Sequence, residues 1–252
     1  MIKLFRNIRQ NLLAEGKTSK YLKYAAGEII LVVIGILIAL SINTWNEERK
    51  ERAIIKSVMK NIRYDLISDT LRFSYIIEKI PKDMELTKSL LKTTGLDTLS
   101  ANEMYDRMPN NGYLGTFKNQ SYEKIINAGI TDFFEFNQLF DDINTYYTIS
   151  SNYHEIITKW DYTATLDENK IWETIGFEID LNASLFFNEN ENTIAQSETT
   201  RKEVFLNQLS TPTIRNTIKS NMHRKMLLHE LLIRSNQEAK DIIQKIDEQL
   251  IE

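Results

Sequence analysis

Glu28 is the residue whose type and place most suggest chemistry. It stands one position into the run Gly27 to Leu40, which is otherwise apolar. An ionisable group inside a membrane segment is costly, and it is kept where it binds a cation, relays a proton or meets a partner's charge. Gly35 shares its helical face, and Gly35 with Ala39 forms a small-xxx-small pair that lets two helices approach closely. A ring of Glu28 carboxylates in a homo-oligomer would make an ion or proton conduit. The plainer reading puts Glu28 about one turn inside the boundary, where it reaches water or pairs with Lys20 or Lys23.

Elsewhere the residue types that carry chemistry do not converge. His223 and His229 are spaced so that they do not share a helix face as a metal pair would, and a metal site would need His154 brought in from another helix. There is no cysteine, which removes disulfides, thiol catalysis and Cys-based zinc sites together. No glycine-rich phosphate loop or nucleophile elbow is present. The reading is therefore not an enzyme, with no catalytic, cofactor or metal residue and no cofactor. Asp141-Asp142 and Glu189 to Glu191 read as solvated surface. The aromatics from Phe133 to Trp172, among them Tyr153 and Trp160, read mostly as core. The Asn110 to Phe117 loop is the expected exposed recognition element.

The element that would hold Glu28 is a membrane helix over residues 25–45, since a hydrocarbon core of about 30 Å needs about 20 helical residues. Tyr21 and Tyr24 at one end and Trp45 at the other are the expected interfacial anchors. The tail 1–24 carries Lys3, Arg6, Arg9, Lys17, Lys20 and Lys23 against Glu15 alone, which predicts a cytoplasmic N-terminus. Lys3, Arg6, Arg9, Lys20 and Lys23 are also the residues expected at an anionic membrane surface. Ile2, Phe5, Ile8, Leu12 and Leu13 fall on one helical face, so the first thirteen residues form an amphipathic helix on the inner leaflet or serve only to set topology. A cleaved signal peptide is the competing reading, on the weak site Ala39-Leu40-Ser41. The long basic stretch before the apolar run and the helical pattern from Asn43 to Lys50 oppose it.

The remainder, 46–252, is long enough for one sizeable core. The net charge of −4 over 252 residues suggests no nucleic-acid partner. Three prolines and eight glycines favour long helices. Ile55, Val58, Ile62, Leu66, Phe73, Ile76 and Ile80 keep helical spacing, which predicts one rod from the membrane to about residue 80, with Pro81 opening the next helix. Ser100 with Glu103 is a capping box, and Gly129 a left-handed terminator after a short helix. Asn137 is expected to cap a longer helix. Residues 161–198 are hard to read, and Ile171 to Phe177 fits helix or strand. Thr211-Pro212 opens a final helix. Its Leu228, Leu232, Ala239, Ile242 and Ile246 suit antiparallel packing on the rod.

The blocks Arg6 to Asn11, Lys20 to Ala25 and Gly27 to Glu47, with Phe117, Ser121 to Ile130 and the pair Tyr146-Tyr147, resemble an uncharacterised family of single-pass membrane proteins of flavobacteria and other Bacteroidota. Ala26, Ser41 and Thr44 depart slightly from that pattern. The resemblance implies a Gram-negative inner-membrane protein with a periplasmic domain.

The expectation is thus an all-α protein, a single N-terminal transmembrane helix continuing into a periplasmic antiparallel helical bundle. Its function would be a scaffold, accessory subunit or sensor-like module of an envelope complex, the Glu28 conduit being the alternative. Its partners would be the lipid bilayer and either an envelope protein or further copies of itself.

Overall fold

A computed structural model of the chain describes residues 18–92, 94–109, 112–113, 116–180 and 194–251. Among these every regular element is a helix, and no strand occurs. The chain divides into two compact units, Met1–Ser57 and Val58–Glu252.

The first long helix, α1, spans Thr18–Ser89, 72 residues. It contains an 18-residue window of mean hydropathy 2.6, none of it buried, and is long and apolar enough to cross a membrane. Within the first unit, Ile29 to Leu40 lie exposed.

The second unit is built on a strict alternation of fours and threes. On α1 the buried stripe runs through Met59, Ile62, Leu66, Asp69, Phe73, Ile76 and Ile80, with Asp65 and Thr70 buried beside it. Met59 rather than Val58 takes the inward position near the start of this stripe. The last helix, α7 (Pro212–Ile251), buries Ile214, Ile218, Asn221, Lys225, Leu228, Leu232, Ser235, Ala239, Ile242 and Ile246 in the same rhythm. Such a stripe is what a helix shows when one face packs on another helix. Bonds from α1 and the turn after it to α7 run in opposite order along the two: Arg63 with Asp247, Ser74 with Asn236, Ile77 with His229, and Leu91 of the turn with Arg215.

Pro81 does not begin a new helix; α1 continues through it to Ser89. A proline inside a helix leaves the carbonyl four residues earlier without its N–H donor. That carbonyl is Ile77 O, and His229 Nε2 lies 3.1 Å from it. A carbonyl only accepts, so Nε2 carries the proton. The missing local bond is replaced from α7.

The short helix α2 (Ala101–Asp106) has the expected capping box. Ser100 Oγ accepts from Glu103 N, and Glu103 accepts from Ser100 N. Those backbone bonds hold the Glu103 carboxyl below the usual range. α3 (Gln120–Asn127) is followed by Gly129 at φ +68, a left-handed turn that glycine adopts without strain. Asn137 does not cap the helix that it begins. Its Oδ1 accepts from Phe133 N and closes the preceding 3-10 turn. From there α4 (Asn137–Thr145), a π-helical turn (Tyr146–Ser150) and α5 (Ser151–Thr174) follow directly. The stretch Ile171 to Thr174 is thus helix, Gly176 at φ +80 ends it, and Phe177 is buried beyond. α6 (Glu198–Leu209) packs with Trp172, Phe177, Ile214 and Ile218 in one apolar cluster. Phe73, Ile76, Ile80, Tyr113, Leu228 and Leu232 form another.

Candidate functional site

Of the residues singled out from sequence, Lys3, Arg6 and Arg9 lie outside the described residues, as do the side chains of Lys20 and Tyr21, the Glu189 to Glu191 run and the proposed amphipathic helix. Glu28 is half-buried on α1. Lys23, Tyr24, Ala39 and Trp45 are exposed. A side chain at Gly35 would meet nothing within 4 Å. Arg49 lies 5.5 Å from the Trp45 ring centroid, a cation–π contact at the end of the apolar stretch.

The loop expected to expose its aromatics instead buries Tyr113 and half-buries Phe117. Tyr113 is 9% exposed, and Phe117 packs at 4.9–5.3 Å from the rings of Tyr146 and Phe73. Two buried carboxylates of α1 hold this segment in place. Asp65 accepts from Ser121 N at the start of α3, and Asp69 accepts from Lys118 N, Arg72 and Tyr146 Oη. Burial pushes the Asp69 carboxyl up, against the pull of these donors.

The most unusual element is α5, whose polarity is reversed. Its inward face is His154, Thr158, Asp161, Thr165 and, only at the end, Trp172. Its outward face carries Tyr153 (61% exposed), Ile156 (55%) and Trp160 (45%), continuing from Ile149 of the π turn (53%). These four recur at helical spacing along one face. Tyr153 and Trp160 are therefore not core. A polar stripe occupies the inside, and it is met by polar residues of α7.

Asp161, fully buried, forms ion pairs with Lys225 and, at 3.4 Å, with Arg224. Arg224 also binds Glu168 at 2.6 Å, and Asn221 Nδ2 donates to the same carboxylate at 2.9 Å. Two buried cations face one buried and one half-buried anion, so the charges balance. Burial pushes the Lys225 amine down, and Asp161 opposes that shift. Such a cluster holds together only as a set, because removing one partner strands the others in a medium of low polarity.

A cavity of about 210 Å3 opens beside this cluster. Lys79, Asp83, Met84 and Thr87 of α1 form one wall, Arg107, Met108 and Tyr113 a second, and Asn221, Met222 and Lys225 of α7 a third. Tyr113 Oη bonds Asp83, and its ring centroid lies 5.0 Å from Lys225 Nζ and 5.8 Å from Lys79 Nζ. Burial and Asp83 drive the Tyr113 phenol well up, so it stays protonated and donates.

Sequence reasoning missed this constellation. A signal existed: Asn221 and Lys225 fall on the apolar seam of α7, between Ile218 and Leu228. Among the described residues no group of three or more His, Asp or Glu is placed to hold a metal ion. His154 is buried beside the rings of Phe73 and Phe117, far along the chain from the bond that His229 makes.

Residues 28–109 match the model of a family of unknown function (DUF6090). No curated protein and no solved structure matches the chain. The matched stretch runs from Glu28 to Pro109 and so stops short of Tyr113 in the cavity's second wall. It holds Lys79, Asp83 and Arg107, whereas α5 and α7 lie beyond it.

Proposed function

We propose that this chain is a membrane-anchored, non-enzymatic helical protein, a scaffold, accessory subunit or sensor-like module that docks another protein of the cell envelope. One observation carries the docking reading: α5 turns Tyr153, Ile156 and Trp160 outward while it buries Asp161 and His154. Exposed apolar rows of this kind mark interaction sites. The row borders a groove of about 670 Å3 that Leu227 and Leu231 of α7 help to line.

The topology rests on other support. The apolar stretch of α1 is exposed throughout, as a lipid-facing helix is. The basic residues before it favour a cytoplasmic tail 1–24, an inner-membrane helix 25–45 and a periplasmic domain 46–252. The opposite order of the bonds between α1 and α7 favours an antiparallel helical bundle. The flavobacterial setting, with its periplasm, rests on the resemblance of the N-terminal block. The alternative, a homo-oligomeric conduit through Glu28, draws support from the open space at Gly35 beside exposed Ala39.

Affinity-tagged chain would be extracted from membranes in mild detergent and the mass of its complex compared with that of Trp160→Glu and Glu28→Gln. Loss of a heteromeric complex in Trp160→Glu, with an unchanged melt, is expected. An assembly untouched by Trp160→Glu but lost in Glu28→Gln would sink the docking reading and favour the conduit. Recovery in the soluble fraction would sink both.

A further inference from the structure

The cavity lined by α1, by Arg107, Met108 and Tyr113, and by α7 has an unbalanced lining. Lys225 has Asp161 behind it, and Asp83 is taken by the Tyr113 hydroxyl. Among the described residues Arg107 donates to Ser89 Oγ, at 3.1 Å, and meets the Glu103 carboxylate only at longer range, while Lys79 lies over the Tyr113 ring. Among the described residues neither cation has a carboxylate within ion-pairing distance, although both line the cavity. Asp106 is the remaining acidic residue of the lining, and it is exposed. The space thus offers two uncommitted positive groups.

Its other walls are soft and apolar. Met84, Met108 and Met222 come from three different segments, and methionine adapts its shape to what it packs on. The volume of about 210 Å3 lies below the usual range of about 300–1,000 Å3 for ligand sites, so the occupant is small. A metal ion finds one open carboxylate here, Asp106, too few to hold it. An inorganic anion would leave the methionines unused.

We propose that this cavity binds a small organic carboxylate, its charge met by Lys79 and Arg107 and its apolar body by Met84, Met108 and Met222. Charge-assisted hydrogen bonds from a guanidinium and an ammonium supply the selectivity for the anion. The Tyr113 ring, held by Asp83, keeps Lys79 and Lys225 beside the space. This inference does not depend on the docking face of α5.

The test uses the full chain in nanodiscs of zwitterionic lipid, with hexanoate, hexylamine and hexan-1-ol as probes in calorimetric titrations and thermal melts. Saturable binding of hexanoate, with a raised melting temperature and no such response to hexylamine, is expected. Lys79→Gln and Arg107→Gln should each weaken hexanoate binding about tenfold, the loss of one hydrogen bond to a charged group. Both residues are partly exposed, so the melt without ligand should stay unchanged. No saturable binding of hexanoate would overturn the proposal. So would equal binding of hexan-1-ol, tighter binding of hexylamine, or variants that bind hexanoate as the parent does. Failure here with α5-dependent complex formation intact removes the ligand alone.

Discussion

Two stretches of α1 are equally helical, but the first is apolar throughout and the second alternates apolar with charged and polar residues, and they treat their apolar side chains in opposite ways. From Ile29 to Leu40 the apolar residues face outward all round the helix. From Met59 to Ile80 most of them lie in one buried stripe, with Tyr64, Leu71 and Tyr75 exposed, and the buried face also holds two carboxylates, Asp65 and Asp69. A helix that is apolar on every side needs an apolar solvent, whereas a striped one needs a partner helix. In the first stretch the described chain buries none of the apolar window, and in the second it does the burying itself.

This contrast is most easily broken by truncating one residue in each stretch. Phe73→Ala should cost about 4 kcal/mol in a denaturant melt, since it empties a fully buried ring site. Ile36→Ala, at an exposed position, should leave the melt of the domain unchanged. Equal losses at the two positions would mean that the apolar stretch is part of the folded core.

The buried charges give the next largest effect. Asp161→Ala strands Lys225 and Arg224 and should cost about 3 kcal/mol. Replacing Asp161 and Lys225 together by Leu and Met should recover most of that loss, because an apolar pair needs no desolvation. If the double replacement were as damaging as the single one, the cluster would be serving something other than charge balance. A ligand-bound arrangement at the adjoining cavity would be the first place to look.

Local signals in the chain were legible, and compensations from afar were not. The capping box at Ser100, the left-handed Gly129 and the start of α7 at Pro212 each depend on residues within one turn, and each is found. The reversed helix α5 misled because Tyr153, Ile156 and Trp160 have the spacing of a core face. Spacing alone cannot say which side of a helix is inside. The polar stripe opposite them settles the matter only when Arg224 and Lys225, more than sixty positions later, are in place to neutralise Asp161. Asp161 and Lys225 drew no notice as single charged residues on helices, where the usual reading is a solvated face.

A smaller effect tests how self-sufficient the local signals are. Ser100→Ala should cost about 1 kcal/mol, the usual value of a lost N-cap. The Glu103 carboxyl is held below 4.5 by the Ser100 backbone N–H, so it contributes stability above that pH and loses it as pH falls through the folded value. The Ser100 hydroxyl adds a second, smaller pull, so Ser100→Ala should shrink this acid limb without abolishing it, whereas Glu103→Gln should flatten it. Thermal melts across the acid range would show which of the two holds the cap.

The smallest expected effect probes the non-local repair at Pro81. His229→Ala removes the donor from Ile77 O and should cost about 1 kcal/mol. Pro81→Ala restores a backbone N–H within α1, at an exposed position. In that background the carbonyl has its own helical partner again, and His229→Ala should become nearly neutral. A double-mutant cycle measured by denaturant melts should therefore return a coupling of about 1 kcal/mol between two residues far apart in the chain. Full additivity would mean that His229 binds Ile77 incidentally, and that α1 tolerates Pro81 by some means within the helix itself. Coupling would mean that the continuity of α1 past residue 80 depends on α7, a dependence that no local reading of the sequence contains.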